Sequence, residues 1–375
     1  MPRTVIDIHI LQTLPPSNVN RDDTGSPKTA IYGGVRRARV SSQAWKRAVR
    51  LAFRQTLDES ELGERTKRLG EAIAERIAAF EPQVKDKASE LAAKVLKAAG
   101  LVKEDKKGNK KTDDKDVEAD YLIFLSRRQQ DNLARAAIES ELSGTQLDSK
   151  QLKALVNTNH SIDVAMFGRM VADVSDINVD AAVQVAHALS VHAVDNEFDY
   201  YTAIDDRKHD AQEIGAGMIG TVEFNSATYY RYANIDVDRL YETLGSVEAA
   251  RRAVEAFLNA FVTSMPSGKQ NTFANRTRPD AVVVQMRDTQ PVNLVGAFEE
   301  PIPQDRDGLV RAAAERLASY AREVDEAYGE APIASWVTHV GERTKALADL
   351  GVVQPLPEVV SAVGARVAER LAMSA

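Results

Sequence analysis

One change of texture constrains the fold of this chain more than any other feature. Strand-like alternation opens the sequence, Ala-, Glu- and Lys-rich helical text takes over from residue 58 to about residue 159, and strand-like text then returns. A sheet that stops and resumes around a helical block predicts one folding unit carrying a second as an insertion. Residues 5–14 read VIDIHILQTL, with Ile6, Ile8 and Ile10 on one side and Val5, Asp7, His9 and Leu11 on the other. One apolar face and one mixed face predict a strand lying on a core, ended by Pro15-Pro16-Ser17-Asn18. After a loop through Gly33-Gly34, residues 35–40 alternate again. Ser41-Ser42 then offer an N-cap for a helix from about residue 43 to 57, with Trp45, Ala48, Val49 and Ala52 as its apolar stripe.

Within the insertion, GERTKRLGEAIAERIAAF and ASELAAKVLKAAG read as helices, and KEDKKGNKKTDDKD at residues 103–116 reads as a mobile loop because it holds no apolar residue. Beyond it, residues 161–171 read as a strand or strand edge, 178–191 as a helix and 219–235 as an aromatic and β-branched strand. Residues 246–264 form an amphipathic helix, 281–287 a buried strand, 307–326 and 335–350 further helices, and 356–373 a helical tail. The predicted class is α+β, with a ferredoxin-like sheet domain and no fixed-period repeat. Residues 1–57 and 160–300 would make the sheet domain, 58–159 the inserted helices (ending as late as about 178) and 301–375 a C-terminal helical part.

Charge is distributed as unevenly as texture. Between Asp23 and Asp58 there is no acidic residue but eight basic ones: Lys28, Arg36, Arg37, Arg39, Lys46, Arg47, Arg50 and Arg54. The 375-residue chain is net −7, so about −15 is left for the rest once this +8 is set aside. Concentrated positive charge in an acidic protein predicts either a local site for a polyanion, phosphate backbones first, or a solvated basic helix. On the predicted helix, Gln43, Lys46, Arg50 and Arg54 fall on one face. Free N–H groups, the helix dipole, Ser hydroxyls and these cations together would cradle phosphate. With a pI near 5.6, any nucleic-acid binding must be focal. The absence of cysteine removes disulfides, thiol nucleophiles and Cys-based zinc sites and agrees with a reducing cytoplasm. Neither a signal peptide nor an apolar run of membrane-spanning length is expected.

Several tempting motifs lack their context. Gly215-Ala216-Gly217-Met218-Ile219-Gly220 spells G-x-G-x-x-G, but a strand, not a helix, follows it, so a glycine-rich hairpin tip is expected instead of a nucleotide site. Ser267-Gly268-Lys269-Gln270 lacks the upstream glycine of a P-loop, and no Ser-hydrolase elbow occurs. The six histidines form no metal-binding pair, and neither metal nor cofactor is expected; His9 is a sheet residue or touches a ligand. Asp22-Asp23 and Asp205-Asp206 are paired carboxylates, which form turns or ion pairs or hold Mg²⁺. Phe198, Tyr200 and Tyr201 lead into a polar stretch up to Gly220, where they would stack on bases or pack a core.

Ordered blocks across the chain are similar to one family. They are Asn20-Arg21-Asp22-Asp23, Ala30-Ile31-Tyr32-Gly33-Gly34, Arg36-Arg37-Ala38-Arg39-Val40-Ser41-Ser42-Gln43, Lys46-Arg47-Ala48, Asp163-Val164-Ala165 with Gly168-Arg169-Met170, Asp199-Tyr200-Tyr201-Thr202-Ala203 with Asp205-Asp206, and Phe224-Asn225-Ser226 with Tyr230-Arg231-Tyr232-Ala233-Asn234. The chain resembles the CasC (Cse-type) backbone subunit of Cascade, the type I-E CRISPR surveillance complex, from Val5 to about Pro301. The resemblance implies an RRM-like (ferredoxin-like) palm, a helical finger insertion and a projecting β-hairpin thumb at residues 195–221. It implies a cytoplasmic ribonucleoprotein for antiviral defence, in which copies form a helical filament along CRISPR RNA beside other Cascade subunits. The guide would be presented in segments for pairing with target DNA.

By that likeness Arg21, Lys28, Ser41, Ser42, Gln43, Lys46 and Arg50 would hold the RNA backbone. Met170 would be a wedge near the bases with Arg169 beside it, and Tyr200, Tyr201, Thr202 and Ile219 would belong to the base-displacing thumb. The family more usually has other aromatics at Tyr200 and Tyr201, and the loop at 103–116 inherits no role. A non-catalytic RNA-binding subunit is therefore expected. The alternatives are an endoribonuclease subunit using a loop aspartate, from Asp22, Asp23, Asp205 and Asp206, and an RRM-like single-strand binder outside any CRISPR assembly.

Overall fold

A computed structural model describes residues 3–102, 122–171, 175–203, 218–303 and 308–374. The loop at 103–116, Asp205-Asp206 and the glycine-rich tip before Met218 lie outside the described residues. The chain opens with β1 (Val5–Ser17), β2 (Thr29–Tyr32), β3 (Val35–Val40) and α1 (Ser42–Thr56). The insertion carries β4 (Gly63–Thr66), α2 (Leu69–Phe80), α3 (Ala88–Ala98), β5 (Ile123–Ser126), α4 (Arg127–Ser143) and α5 (Ser149–Val156). Next come α6 (Ile162–Phe167), β6 (Val183–Val185), β7 (Ala188–Ser190), β8 (Glu197–Ala203) and β9 (Met218–Asp236). The remainder is α7 (Val237–Leu244), α8 (Val247–Thr263), α9 (Gln270–Phe273), β10 (Ala281–Arg287), α10 (Leu309–Tyr328), β11 (Ala334–His339), β12 (Val352–Val353) and α11 (Leu356–Ser374). Among the described residues no helix is long and apolar enough to cross a membrane.

The main sheet runs β12-β11-β10-β1-β9-β7-β3-β2, with β6 and β8 also paired to β9. Only β11 and β12 pair in parallel among its described ladders. At its centre β1 is buried on both faces from Val5 to Gln12, not on one. Ile6, Ile8 and Ile10 join the core formed with α1, α8 and α11. Leu11 joins a second core under α10. The mixed face is therefore sealed by α10, and its polar groups are satisfied internally, as buried polar groups must be. Asp7 accepts from Tyr232 Oη at 2.6 Å and from Val292 N at 3.1 Å, and it pairs with Arg287 at 3.2 Å. His9 Nδ1 lies 2.8 Å from Tyr230 Oη. A separate core joins Leu69, Ile73, Val95, Leu125 and Leu133 of the insertion with Val171 and Ile177.

Four sequence expectations are corrected. β1 runs on through Pro15-Pro16 to Ser17, with a register shift between Leu14 and Ser17; a bulge tolerates proline because the ladder there needs no N–H. Residues 162–167 are helical, since a short apolar run has no period that separates strand from helix. Residues 178–191 hold β6 and β7, because the long β9 supplies partners that override their Ala-rich helical propensity. Within 335–350, β11 pairs along β10 and only Glu342–Leu350 is helical, as a 3₁₀ turn.

Candidate nucleic-acid interface

Local chemistry builds α1 as its sequence predicts. Ser41 is the N-cap, its Oγ accepting from Ala44 N at 3.3 Å, and its own N–H is held by Asn20 Oδ1 at 2.8 Å. Its first turn contains no acidic residue, so nothing within the helix neutralises the positive end of its dipole. Trp45, Ala48, Val49 and Phe53 are buried, while Ala52 is only partly so. Gln43, Lys46, Arg47 and Arg50 face a cleft of about 950 Å³. Opposite them the insertion supplies Arg65 from β4, Phe124 from β5 and, beyond α6, Met170.

Electrostatics make this cleft receptive to an anion. The Arg50 guanidinium sits 4.6 Å from the Phe124 ring centre. Its cation is disfavoured by burial and by Arg65, Arg54 and Arg47, with Asp163 opposing. Burial likewise lowers the Lys46 pKa. A phosphate entering between them would relieve repulsion as well as gain charge-assisted hydrogen bonds.

The wall opposite α1 is held by Arg169, which is buried. Its guanidinium donates to Ile177 O, Phe124 O, Gln129 Oε1, Val156 O and Asn157 Oδ1. Those five bonds match its five N–H donors, so the side chain is a strut, not a phosphate ligand like Lys46. Gly168 has φ +77°, and a Cβ there would come 2.8 Å from Val179 O. That tight turn turns Met170 outward, 85% exposed.

Acid should loosen this wall. His160 Nδ1 lies 3.0 Å from Gln129 Nε2, and burial, then the Arg169 charge, lowers its pKa from 6.5 to about 4. His9, buried and near Arg287, falls to about 3. Between 6.5 and those values the unfolded chain binds protons that the native chain does not, so stability is lost as pH falls. Asp7 has the opposite sign, because burial raises its pKa from 3.8 to about 6 and acidification through that window stabilises the fold. Two histidines against one carboxylate give a lower melting temperature at pH 5 than at pH 7.5. The drop should shrink in His160→Asn, and an unchanged drop would reject the assignment.

The other predicted residues are placed as follows. Arg21 is exposed and Lys28 half-buried on the loop before β2, where Lys28 N donates to Asn20 O at 2.9 Å. Ser42 opens α1. Of the eight cations in the acid-free window, Arg37 is buried on Ser190 O, Phe298 O and Glu299 O, and Arg39 is held by Thr29 O and His187. β8 and the start of β9 pair from Glu197↔Phe224 to Ala203↔Met218, with Thr202 opposite Ile219. Phe198 and Tyr200 share one strand face, 69% and 61% exposed. Tyr201 lies over Gly220, where a Cβ would meet its ring at 2.5 Å, so it covers the hairpin's own backbone. None of these aromatics lines the cleft beside α1. Asp22 Oδ1 accepts from Thr24 N, Thr24 Oγ1 and Ser26 N, which holds the carboxyl below its usual range. Sequence reasoning missed Arg65 and Phe124, which reach the cleft only through tertiary packing, and Arg47, whose signal was the acid-free window itself.

The comparisons with known proteins agree with this architecture. The sequence profile of the family described as CT1975-like protein matches residues 6–362. The chain is similar to a solved chain titled "CRISPR RNA-guided surveillance complex, pre-nicking", with a TM-score of 0.85 and 35% identity over 97% of this chain and 100% of that one. It is also similar to a chain of a "CRISPR RNA-guided surveillance complex", with a TM-score of 0.73 and 31% identity over 96% of this chain and 99% of that one. No curated protein sequence matches.

Proposed function

The chain belongs to the CT1975-like protein family, and from that premise we propose that it is the CasC-type backbone subunit of a Cascade complex, a non-catalytic protein that polymerises along CRISPR RNA in the cytoplasm. The observation that carries this reading is the cleft beside α1. Its Lys46, Arg47, Arg50 and Arg65 face open space without an ion pair, whereas cations elsewhere are matched, as Arg76 is with Asp131 and Arg252 with Glu61. Backbone charge contacts suit a guide of any sequence, because sequence reading is left to base pairing. Copies joined head to tail, with the RNA spanning them, would make an open helix instead of a closed ring.

The sheet supports an RRM-like palm. β10-β1-β9-β7 is the ferredoxin-like order, with α1 and α8 on one face. The insertion with its own core would be the fingers and the β8–β9 hairpin the thumb. Phe198 and Tyr200 are then the thumb's stacking groups, and Tyr201 stiffens it. Phe198→Ala/Tyr200→Ala is expected to weaken RNA binding by roughly 1–3 kcal/mol per lost stack while melting is unchanged. Quenching of 2-aminopurine placed along the guide would check it; unaltered fluorescence and affinity would remove the stacking role. The function itself is tested by purifying the tagged protein with its neighbouring operon products and sequencing the bound RNA. Uniform RNA with CRISPR repeat ends supports the proposal, and mixed cellular RNA or none rejects it.

A further inference from the structure

A second acid-free stretch packs against the other flank of α1. Residues 256–279 contain no Asp or Glu and three cations, Lys269, Arg276 and Arg278. The stretch covers the end of α8, α9 and the loops around it. Gly268 seats it on the chain leaving β1, since a Cβ there would come 2.3 Å from Val19 O. Between this loop and α1 lies a groove of about 320 Å³. Arg47, Leu51 and Gln55 line one side, and Ser264, Gly268 and Arg276 line the other.

Three observations give the groove its chemistry. No carboxylate lines it. Neither the Arg47 nor the Arg276 guanidinium has an ion pair or hydrogen bond among the described residues. Ser264 Oγ, on the groove wall, is buried without a hydrogen-bond partner, an arrangement that costs free energy until an acceptor arrives. Arg47 also lines the cleft on the first flank, so it stands on the ridge between the two hollows.

We propose that this groove is a second phosphodiester subsite for the same single-stranded RNA, which crosses α1 over Arg47. Arg276 and Arg47 take a backbone phosphate, Ser264 Oγ–H donates to it, and the half-exposed Leu51 packs on the ribose. The subsite rests on the RNA-backbone reading above and extends it to residues outside the acid-free window. Free cations without carboxylate partners are the expected footprint of a phosphate chain, and two hollows sharing one arginine let the chain pass from one to the next.

The experiment measures binding of the full chain to single-stranded RNA across a salt series, for the wild type, Arg276→Gln and Lys46→Gln. Each lost phosphate contact on a single strand lowers the slope of log affinity against log salt by about 0.7. Arg276→Gln is expected to show that loss, and to show it additively with Lys46→Gln. Arg276 is exposed, so the substitution should leave melting unchanged. A slope that falls for Lys46→Gln but not for Arg276→Gln overturns the subsite and leaves the functional reading standing. A slope that falls for neither overturns both. Shorter assemblies on long RNA with an unchanged slope in Arg276→Gln would make the groove a contact between protein copies, and would equally overturn the proposal.

Discussion

Reversing two charges together, Lys46→Glu/Arg50→Glu, is expected to strip the protein of RNA. Both side chains face the cleft beside α1, and the pair lies on one helix face. A charge-assisted hydrogen bond contributes roughly 1.5–3 kcal/mol, so losing two costs about 3–6 kcal/mol before repulsion is counted. That corresponds to roughly a hundred- to ten-thousandfold in affinity. Melting should change little, because neither residue makes a hydrogen bond or ion pair that supports the fold among the described residues. The double mutant should therefore purify folded, without the uniform RNA. RNA retained at the wild-type ratio would remove the cleft from the binding surface.

Arg169→Ala is expected to do the reverse: damage the fold first and RNA binding only in consequence. The likeness to known backbone subunits places Arg169 beside the RNA, but its guanidinium is inside the wall of the cleft, bonded to Ile177, Phe124, Gln129, Val156 and Asn157. Truncation leaves several buried acceptors unmatched, each costing roughly 1–3 kcal/mol, so a loss on the order of 3–5 kcal/mol follows. A large decrease in melting temperature and rapid proteolysis within the inserted helices are the expected readouts. What survives folded should bind RNA with an unchanged salt slope. A mutant that melts like the wild type but has a shallower slope would return Arg169 to the phosphate contacts.

Legibility in the sequence tracked how local each cause is. α1 was readable because its cap, its buried Trp45 and Val49 and its cationic face all lie within fifteen residues of each other. The strand at residues 281–287 was readable because a run buried on both faces, AVVVQMR, needs no partner to announce itself. The strands within 178–191 were not, since AAVQVAHAL favours a helix and only β9 makes it extended. Asp7 and His9 were expected on a mixed face; what buries them is α10 and its neighbours, contributed some three hundred residues later.

The sequence by itself determined that this chain would hold a sheet unit interrupted by helices, with positive charge concentrated around one helix near its start. Those properties reside in periodicity and composition, which act over a few residues. Tertiary structure alone decided which cations are available. Arg37 and Arg169 are spent on backbone carbonyls from remote segments, while Arg47, Arg65 and Arg276 are left open. A guanidinium needs five acceptors to be satisfied, and whether folding brings carbonyls to it or leaves it facing a cleft is settled only when distant segments meet.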